Sequence, residues 1–314
     1  MNRLHSILFV TLYLKGSSRL LTDKLRYLDP SRYRATILLL TGEIVSTEEV
    51  PDGVLLLAGD YFSTFWRKIA GIFLIARMSW SHDTVVGYSE LTPTYMTALG
   101  SWMAFKRPLG MVHVHLSTLL RLGLRPRIHH RIVSLFYPLL RKVIGCSDAV
   151  ADDLRREFGL RNVVSIPNSI DLDRVAAMAR QEVPGVFVPI FDRPALVTIG
   201  MFGFQKGHDI LLRAFKRVVE KGYPHNLIIV GSGDGREEIE ALIRTLNLES
   251  RVHLTGYVKN PYPLLRRADL FVLSSRFEGF AIVLAEAMAL GVPIVSTDAM
   301  RDPARCLLRG AAGY

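Results

Sequence analysis

The sequence predicts an α/β protein built from two doubly wound parallel sheets in tandem, and three observations carry that prediction. Short apolar runs rich in β-branched residues recur with amphipathic stretches between them, as expected of strands buried on both faces by crossover helices. The alternation lapses once, in a stretch with three prolines, and then restarts. The length, 314 residues with 49% apolar and 22% charged side chains, suits two folded domains of ordinary size and excludes disorder or a fibrous repeat.

The first series of strands runs ILFVTL (7–12), ATILLL (35–40), VLLL (54–57), TVVGY (84–88), MVHVH (111–115), VIGC (143–146) and VVSI (163–166). Alternation within MVHVH predicts that His113 and His115 face opposite sides of the sheet. Residues 1–184 form the expected first domain. The segment 185–194, inside EVPGVFVPIFDRP, has no helical period and reads as a linker. The second domain, 195–314, carries ALVTIG (195–200), NLIIVG (226–231), VHLT (252–255), LFVLSS (270–275) and PIVSTD (293–298), with amphipathic helices at 208–221 and 235–246. Two such domains facing each other would turn the carboxyl ends of both sheets toward one cleft, where ligands of open α/β sheets bind.

Charge and composition narrow the function classes. A net charge of +10 points to anionic partners such as a nucleotide or a phospholipid surface. Nucleic acid is not expected, because no recognised binding module accompanies the charge. Between Glu90 and Asp148 the chain carries no acid but includes Lys106, Arg107, Arg127 and Arg131. The basic amphipathic stretches 65–80 and 125–143 are candidates for an anionic membrane surface. The longest apolar run, Ile69 to Ala76, is bracketed by Arg67, Lys68 and Arg77 and is far too short to span a bilayer. Two cysteines, Cys146 and Cys306, make no disulfide framework, so a reducing, cytoplasmic setting is expected. The opening residues read as a buried strand and a glycine loop rather than a leader, and no His/Cys spacing suits zinc.

The most informative stretch is SSRFEGFAIVLAEAMALGVPIVSTD (274–298). A strand ends at Ser274, a short loop carries Glu278 and Gly279, and a helix bearing Glu286 runs to a stop at Gly291. Amides from Gly279 through Phe280 and Ala281 to Ile282 would lie at that helix N-terminus, where unsatisfied donors and the helix dipole favour a phosphate. A phosphate beside two hydroxyl-binding carboxylates suits a nucleotide sugar.

This stretch resembles the E-x7-E motif of retaining glycosyltransferases of family 4, which have the GT-B architecture of two Rossmann-like domains facing a cleft. ADLFVLSS (268–275), VHLTGYV (252–258), GSGDG (231–235), IPNSID (166–171) and GCSDAVADDL (145–154) resemble further family segments and fall in family order. The likeness is close over residues 110–305 and looser over the first 100. It implies that Glu286 binds the ribose hydroxyls, that Glu278 contacts the donor sugar near the reacting centre, and that Lys206 neutralises the leaving diphosphate. It implies that the backbone at Tyr257 and Val258 meets the base, that His115 lines the acceptor side, and that Gly16 lets the first loop approach donor or acceptor. The reaction it implies moves a sugar from a nucleoside diphosphate sugar, most simply a UDP-sugar, to a glycan or lipid-linked acceptor with retention, in cell-surface polysaccharide or glycolipid biosynthesis. No metal or cofactor is implied.

The departures from the family pattern are specific. Met201 stands where an arginine is usual, with Arg276 or a first-domain residue as the candidate replacement. Ala281 stands where a glycine is usual and narrows access to the loop amides, and Ser17 replaces the second glycine of a pair. The sequence ends at LLRGAAGY, short of the family's closing helices, so the second domain is expected to be incomplete. These departures keep open an alternative, a non-catalytic or truncated binding protein. A dinucleotide-dependent dehydrogenase is disfavoured, because GSGDGR (231–236) is not G-x-G-x-x-G. An epimerase of the same architecture finds no support in the E-x7-E context.

Overall fold

The computed structural model describes residues 3–14, 19–42, 50–122 and 126–299. The chain divides into two compact units, residues 1–169 and 170–314.

The first unit runs β1 (His5–Thr11), α1 (Arg19–Leu25), β2 (Tyr33–Leu39), β3 (Leu55–Ala58), α2 (Phe65–Ser81), β4 (Thr84–Gly87), α3 (Thr92–Met103), β5 (Leu109–Val112), α4 (Leu116–Leu122), α5 (Pro126–Phe136), β6 (Lys142–Gly145), α6 (Asp148–Phe158) and β7 (Val163–Ser165). Its strands form one parallel sheet in the order β3-β2-β1-β4-β5-β6-β7. Both faces of β1 are covered, which is why its centre, Ile7 to Val10, is continuously apolar. Leu8 and Val10 pack with Ile75 and Met78 of α2 and Met96 of α3. Phe9, on the opposite face, packs with Leu21 and Leu25 of α1 and with Tyr88. Polar residues fix the helix ends: Ser147 accepts the Val150 amide at the start of α6, and Gly159, at φ +65°, ends it.

The second unit runs α7 (Leu172–Ala179), a 3-10 turn (Gly185–Phe191), β8 (Ala195–Ile199), α8 (His208–Glu220), β9 (Asn226–Val230), α9 (Arg236–Thr245), β10 (Val252–Gly256), α10 (Tyr262–Arg266), β11 (Leu270–Leu273), α11 (Ile282–Ala289) and β12 (Ile294–Ser296). Its parallel sheet has the order β10-β9-β8-β11-β12. Val197, Ile228 and Phe271 point to the layer of α7, α10 and α11, while Leu196, Leu227 and Ile229 point to α8 and α9.

The boundary between units lies earlier than the 1–184, 185–194 and 195–314 division expected from sequence. Helix α7 gives Val175 and Ala179, one turn apart, to the core of the second unit. Phe187, Ile190 and Phe191 of the 3-10 turn pack on the same core, so 185–194 is part of that unit rather than a free connection. Side-chain bonds hold it there: the Asn226 amide donates to Ile190 O, and the Asn260 amide to Met178 O. A short helix with one apolar stripe does not announce which of two sheets it will cover.

Candidate functional site

In the second sheet the strand order reverses between β8 and β11, and a crevice opens at the carboxyl ends of strands that diverge in this way. The loops leaving those two strands carry Lys206 and Glu278. Gly207, at φ +63°, lets the first loop pass the carbonyl of Ser274, where a side chain would collide. The Ser274 hydroxyl donates to Lys206 O at 2.9 Å and the Arg276 amide to Gln205 O at 2.7 Å, so the loops are stitched side by side. The Lys206 stem lies against Gly200, where an added Cβ would come within 3.1 Å of its Cδ.

The result is a compact cluster. Lys206 Nζ donates to Glu278 Oε1 at 2.6 Å, the Ser275 hydroxyl donates to the same oxygen at 2.7 Å, and Gln205 Nε2 donates to Oε2 at 3.2 Å. Glu278 is 5% exposed, and its amide donates to Ala299 O. A buried carboxylate with three donors is fixed in position, and the ammonium beside it keeps further N–H groups for an anion.

The glycine-rich turn after β9 closes one side of this loop cluster. The Phe202 amide donates to Ser232 O and the Gly235 amide to Phe202 O. Gly231 and Gly233, both at positive φ, lie where a Cβ would strike the carbonyls of Gly200 and Phe202. His208, at the start of α8, is buried edge-on to Phe202, and burial together with the Lys206 charge pushes its pKa down to about 4 against the opposing effect of Asp209.

Glu286 lies on α11, half-buried, with the Tyr262 hydroxyl donating to Oε1 at 2.7 Å. Tyr262 comes from the first turn of α10, so this carboxylate has a partner set distinct from that of Glu278. Gly279 is buried and Phe280 half-buried in the loop between them. Two expectations at the helix start are corrected. The Ile282 amide donates to Phe280 O at 3.0 Å and is therefore engaged within the loop. Ala281 belongs to the hydrophobic core, so its methyl turns inward and does not narrow the approach to the amides. At the end of β10, Tyr257 is exposed, while Val258 packs on the core.

Arg276 does not take the place left by Met201. Its guanidinium makes two bonds to Asp209, at 2.8 and 2.7 Å, donates to Phe204 O and lies over the Phe204 ring at 4.1 Å. The Arg276 guanidinium holds the Asp209 carboxyl below its ordinary range.

In the first unit His113 and His115 do not alternate across a strand. β5 ends at Val112, and both histidines are buried in the turn that leads into α4. The turn is held by Glu90, which accepts the His113 amide, and by a bond between His113 Nε2 and Tyr88 O at 3.1 Å. Burial pushes the His113 pKa down, partly opposed by Glu90. Lys24 donates to Asn168 at 2.9 Å nearby, its pKa lowered by burial. Gly16 and Ser17 lie outside the described residues, as does the sequence after Ala299.

The structure thus brings Lys206 and Glu278 together and places Glu286 on the helix that follows. Gln205, Ser275 and Tyr262 were missed in the sequence; only the adjacency of Gln205 to Lys206 could have flagged one of them. Among the described residues no group of three or more His, Cys, Asp or Glu side chains could hold a metal ion.

Comparison with known proteins bears on both units. Residues 15–174 match the family model described as Glycosyltransferase Family 4, and residues 187–314 match that of Glycosyl transferases group 1. An uncharacterized glycosyltransferase of Methanocaldococcus jannaschii is 37% identical over 144 residues, 45% of this chain and 35% of that protein. The N-acetylgalactosamine-N,N'-diacetylbacillosaminyl-diphospho-undecaprenol 4-alpha-N-acetylgalactosaminyltransferase of Campylobacter jejuni is 31% identical over 169 residues, 53% of this chain and 44% of that protein. The chain therefore spans less than half the length of these curated relatives. Among solved structures, Anabaena HepE in complex with UDP and glucose superposes with a TM-score of 0.74 at 20% identity, over 93% of this chain and 80% of that one. The lipopolysaccharide outer core galactosyltransferase WaaB, in its apo form, gives 0.65 at 17% identity, over 96% and 82%.

Proposed function

Because the chain belongs to glycosyltransferase family 4 and has the GT-B fold class, we propose that it moves a sugar from a nucleoside diphosphate sugar, a UDP-sugar in the first instance, to a glycan or lipid-linked acceptor with retention of anomeric configuration. The observation that carries this reading is the Lys206–Glu278 pair at the point where the second sheet reverses its strand order, with Glu286 on the helix beyond it. Departure of a nucleoside diphosphate develops negative charge on the bridging oxygen, and a fixed ammonium stabilises that charge without reorganising. Lys206 supplies the ammonium, and Glu278, with Ser275 and Gln205, aims it. Glu286, steadied by Tyr262, takes the ribose hydroxyls. The amides of Gly279 to Ala281 face the phosphates and the backbone at Tyr257 and Val258 meets the base, while His115 serves the acceptor side and Gly16 lets the first loop approach donor or acceptor. No metal or cofactor takes part in this reading.

Two relatives support it by what they are named for: the Campylobacter protein as a transferase acting on a diphospho-undecaprenol-linked sugar, and HepE by the UDP and glucose in its crystal. On this reading the protein works in the cytoplasm, in polysaccharide or glycolipid biosynthesis at the inner face of the membrane.

One observation favours a second reading, a binding protein without turnover. Met201 removes one diphosphate cation and Arg276 is committed to Asp209. Calorimetry with UDP, GDP and ADP on the full chain separates the outcomes. Selective UDP binding, weakened about 10- to 100-fold by Glu286→Ala, is expected for the loss of a charged hydrogen bond to the ribose. Product NMR after incubation with UDP-sugars then reports turnover and anomeric configuration. Binding without turnover supports the second reading, and no binding by the folded chain overturns both.

A further inference from the structure

The outer face of α2 is aromatic where a helix covering a sheet is ordinarily polar. Trp66, Phe73 and Trp80 recur every seven residues, close to two helical turns, so they lie along one side. That side is turned away from the core, which takes Ile75 and Met78 instead. Trp66 is 76% and Trp80 66% exposed. The row is about 21 Å long at the helical rise.

Phe105 extends it. This residue follows the C-terminus of α3 in the left-handed region, at φ +57°, with its amide donating to Trp102 O and the Lys106 amide to Ser101 O. Glycine is the ordinary residue in such a cap, and a bulky side chain there is strained. The Phe105 ring is nonetheless 89% exposed, edge-on to Trp80 at 6.4 Å. A strained position that holds a phenyl ring in water marks a ring kept for a contact.

The charge carried by α2 and α3 themselves has one sign. Neither α2 nor α3 contains an acid. Arg77 sits on the row between Phe73 and Trp80, and Arg107 follows Phe105 by two residues, whereas Lys68 lies round on the core side of the helix with its ammonium over the Phe62 ring. Arg107 donates to the carbonyls of Leu139 and Leu140, which leaves its charge uncompensated by those contacts, whereas Arg67 is neutralised by Asp60. In the other basic stretch, 125–143, His130 stacks on Phe158 and its Nε2 meets Glu157 O at 3.0 Å, tying this region to α6.

We propose that the α2 row, with Phe105, is the face by which the protein seats on an anionic phospholipid surface. Indole and phenyl rings standing apart on a convex helix, with basic side chains among them, match the headgroup layer, where aromatic rings lie among lipid phosphates. Basic charge set among the rings, with no acid on either helix, favours an anionic lipid surface over the pocket of a protein partner. The proposal rests on the transferase reading only in naming the surface where that enzyme meets its acceptor, and its test uses no transferase activity.

The full chain is floated with vesicles of phosphatidylglycerol and phosphatidylcholine, and with phosphatidylcholine alone. Binding only to the anionic vesicles, weakened by salt and accompanied by a blue shift of tryptophan emission, is expected. Trp80→Ala and Phe105→Gly each weaken binding about tenfold, the change that matches one ring left unburied. Phe105→Gly also raises the thermal midpoint, because glycine fits the left-handed cap, so lost binding in that variant is not lost folding. Equal binding to both vesicle types, variants that bind like the parent chain, or vesicle-independent self-association that shields Trp66 and Trp80 would each overturn the proposal.

Discussion

At the residue scale, the side-chain types of the site were legible and their partners were not. Glu278 and Glu286 stand out in the sequence because a loop acid and a helix acid flank a predicted helix start. Lys206 stands out only through the family likeness. That Lys206 Nζ and Glu278 Oε1 meet at 2.6 Å follows from the adjacency of β8 and β11, which are 70 residues apart in the chain and which no local pattern pairs. The contact makes a testable demand. Lys206→Met should slow single-turnover transfer by one to two orders of magnitude, the worth of one charged hydrogen bond to the leaving group. It should also lower stability by about 1–3 kcal/mol, because Glu278 is left buried with fewer donors. Adding Glu278→Gln should restore stability in urea unfolding and leave transfer slow. A double variant as unstable as the single one would mean that the pair is not coupled.

At the element scale, the strands were readable because a strand buried on both faces carries an unbroken apolar run, as in Ile7 to Val10 of β1 and Leu227 to Val230 of β9. MVHVH misled for a related reason. Alternation continues past the true strand end at Val112, and Glu90, twenty-odd residues earlier, captures the next amide and turns the chain. Ala281 misled because the family pattern gives its identity but not the direction of its Cβ. The glycine-rich turn shows the opposite case, a motif whose reason becomes plain only in space. Gly231→Ala would drive a methyl into the Gly200 carbonyl, in a backbone conformation that L side chains rarely adopt. A loss of about 2 kcal/mol or more in urea unfolding is expected, together with weaker nucleotide binding, since the turn buttresses the loop of Lys206. Parent-like stability would show that the loop yields.

For the whole molecule, the two-sheet plan was legible from the double run of alternation, while the joint between units was not, because prolines mark a break in periodicity and not a break in packing. Burial also depresses the pKa of His113 in the first unit and of His208 and His253 in the second. A buried neutral histidine costs nothing while the unfolded chain is also neutral. Below the ordinary histidine value of about 6.5 the unfolded chain takes up the proton and the folded one does not. Stability should therefore fall as pH drops from about 6.5 toward 4, and level off only once His208 is itself protonated. Urea midpoints across that range check this, and His208→Gln together with His253→Gln should flatten the part that belongs to the second unit. The early joint at Ser169 has a consequence for how such chains can be recombined. A crossover exchanging first units between relatives preserves both cores when it joins near that serine, ahead of α7. A crossover in the proline-rich stretch would graft a foreign helix and most of a foreign 3-10 turn onto β8, putting other residues where Val175, Ala179, Phe187 and Ile190 now fill the second core.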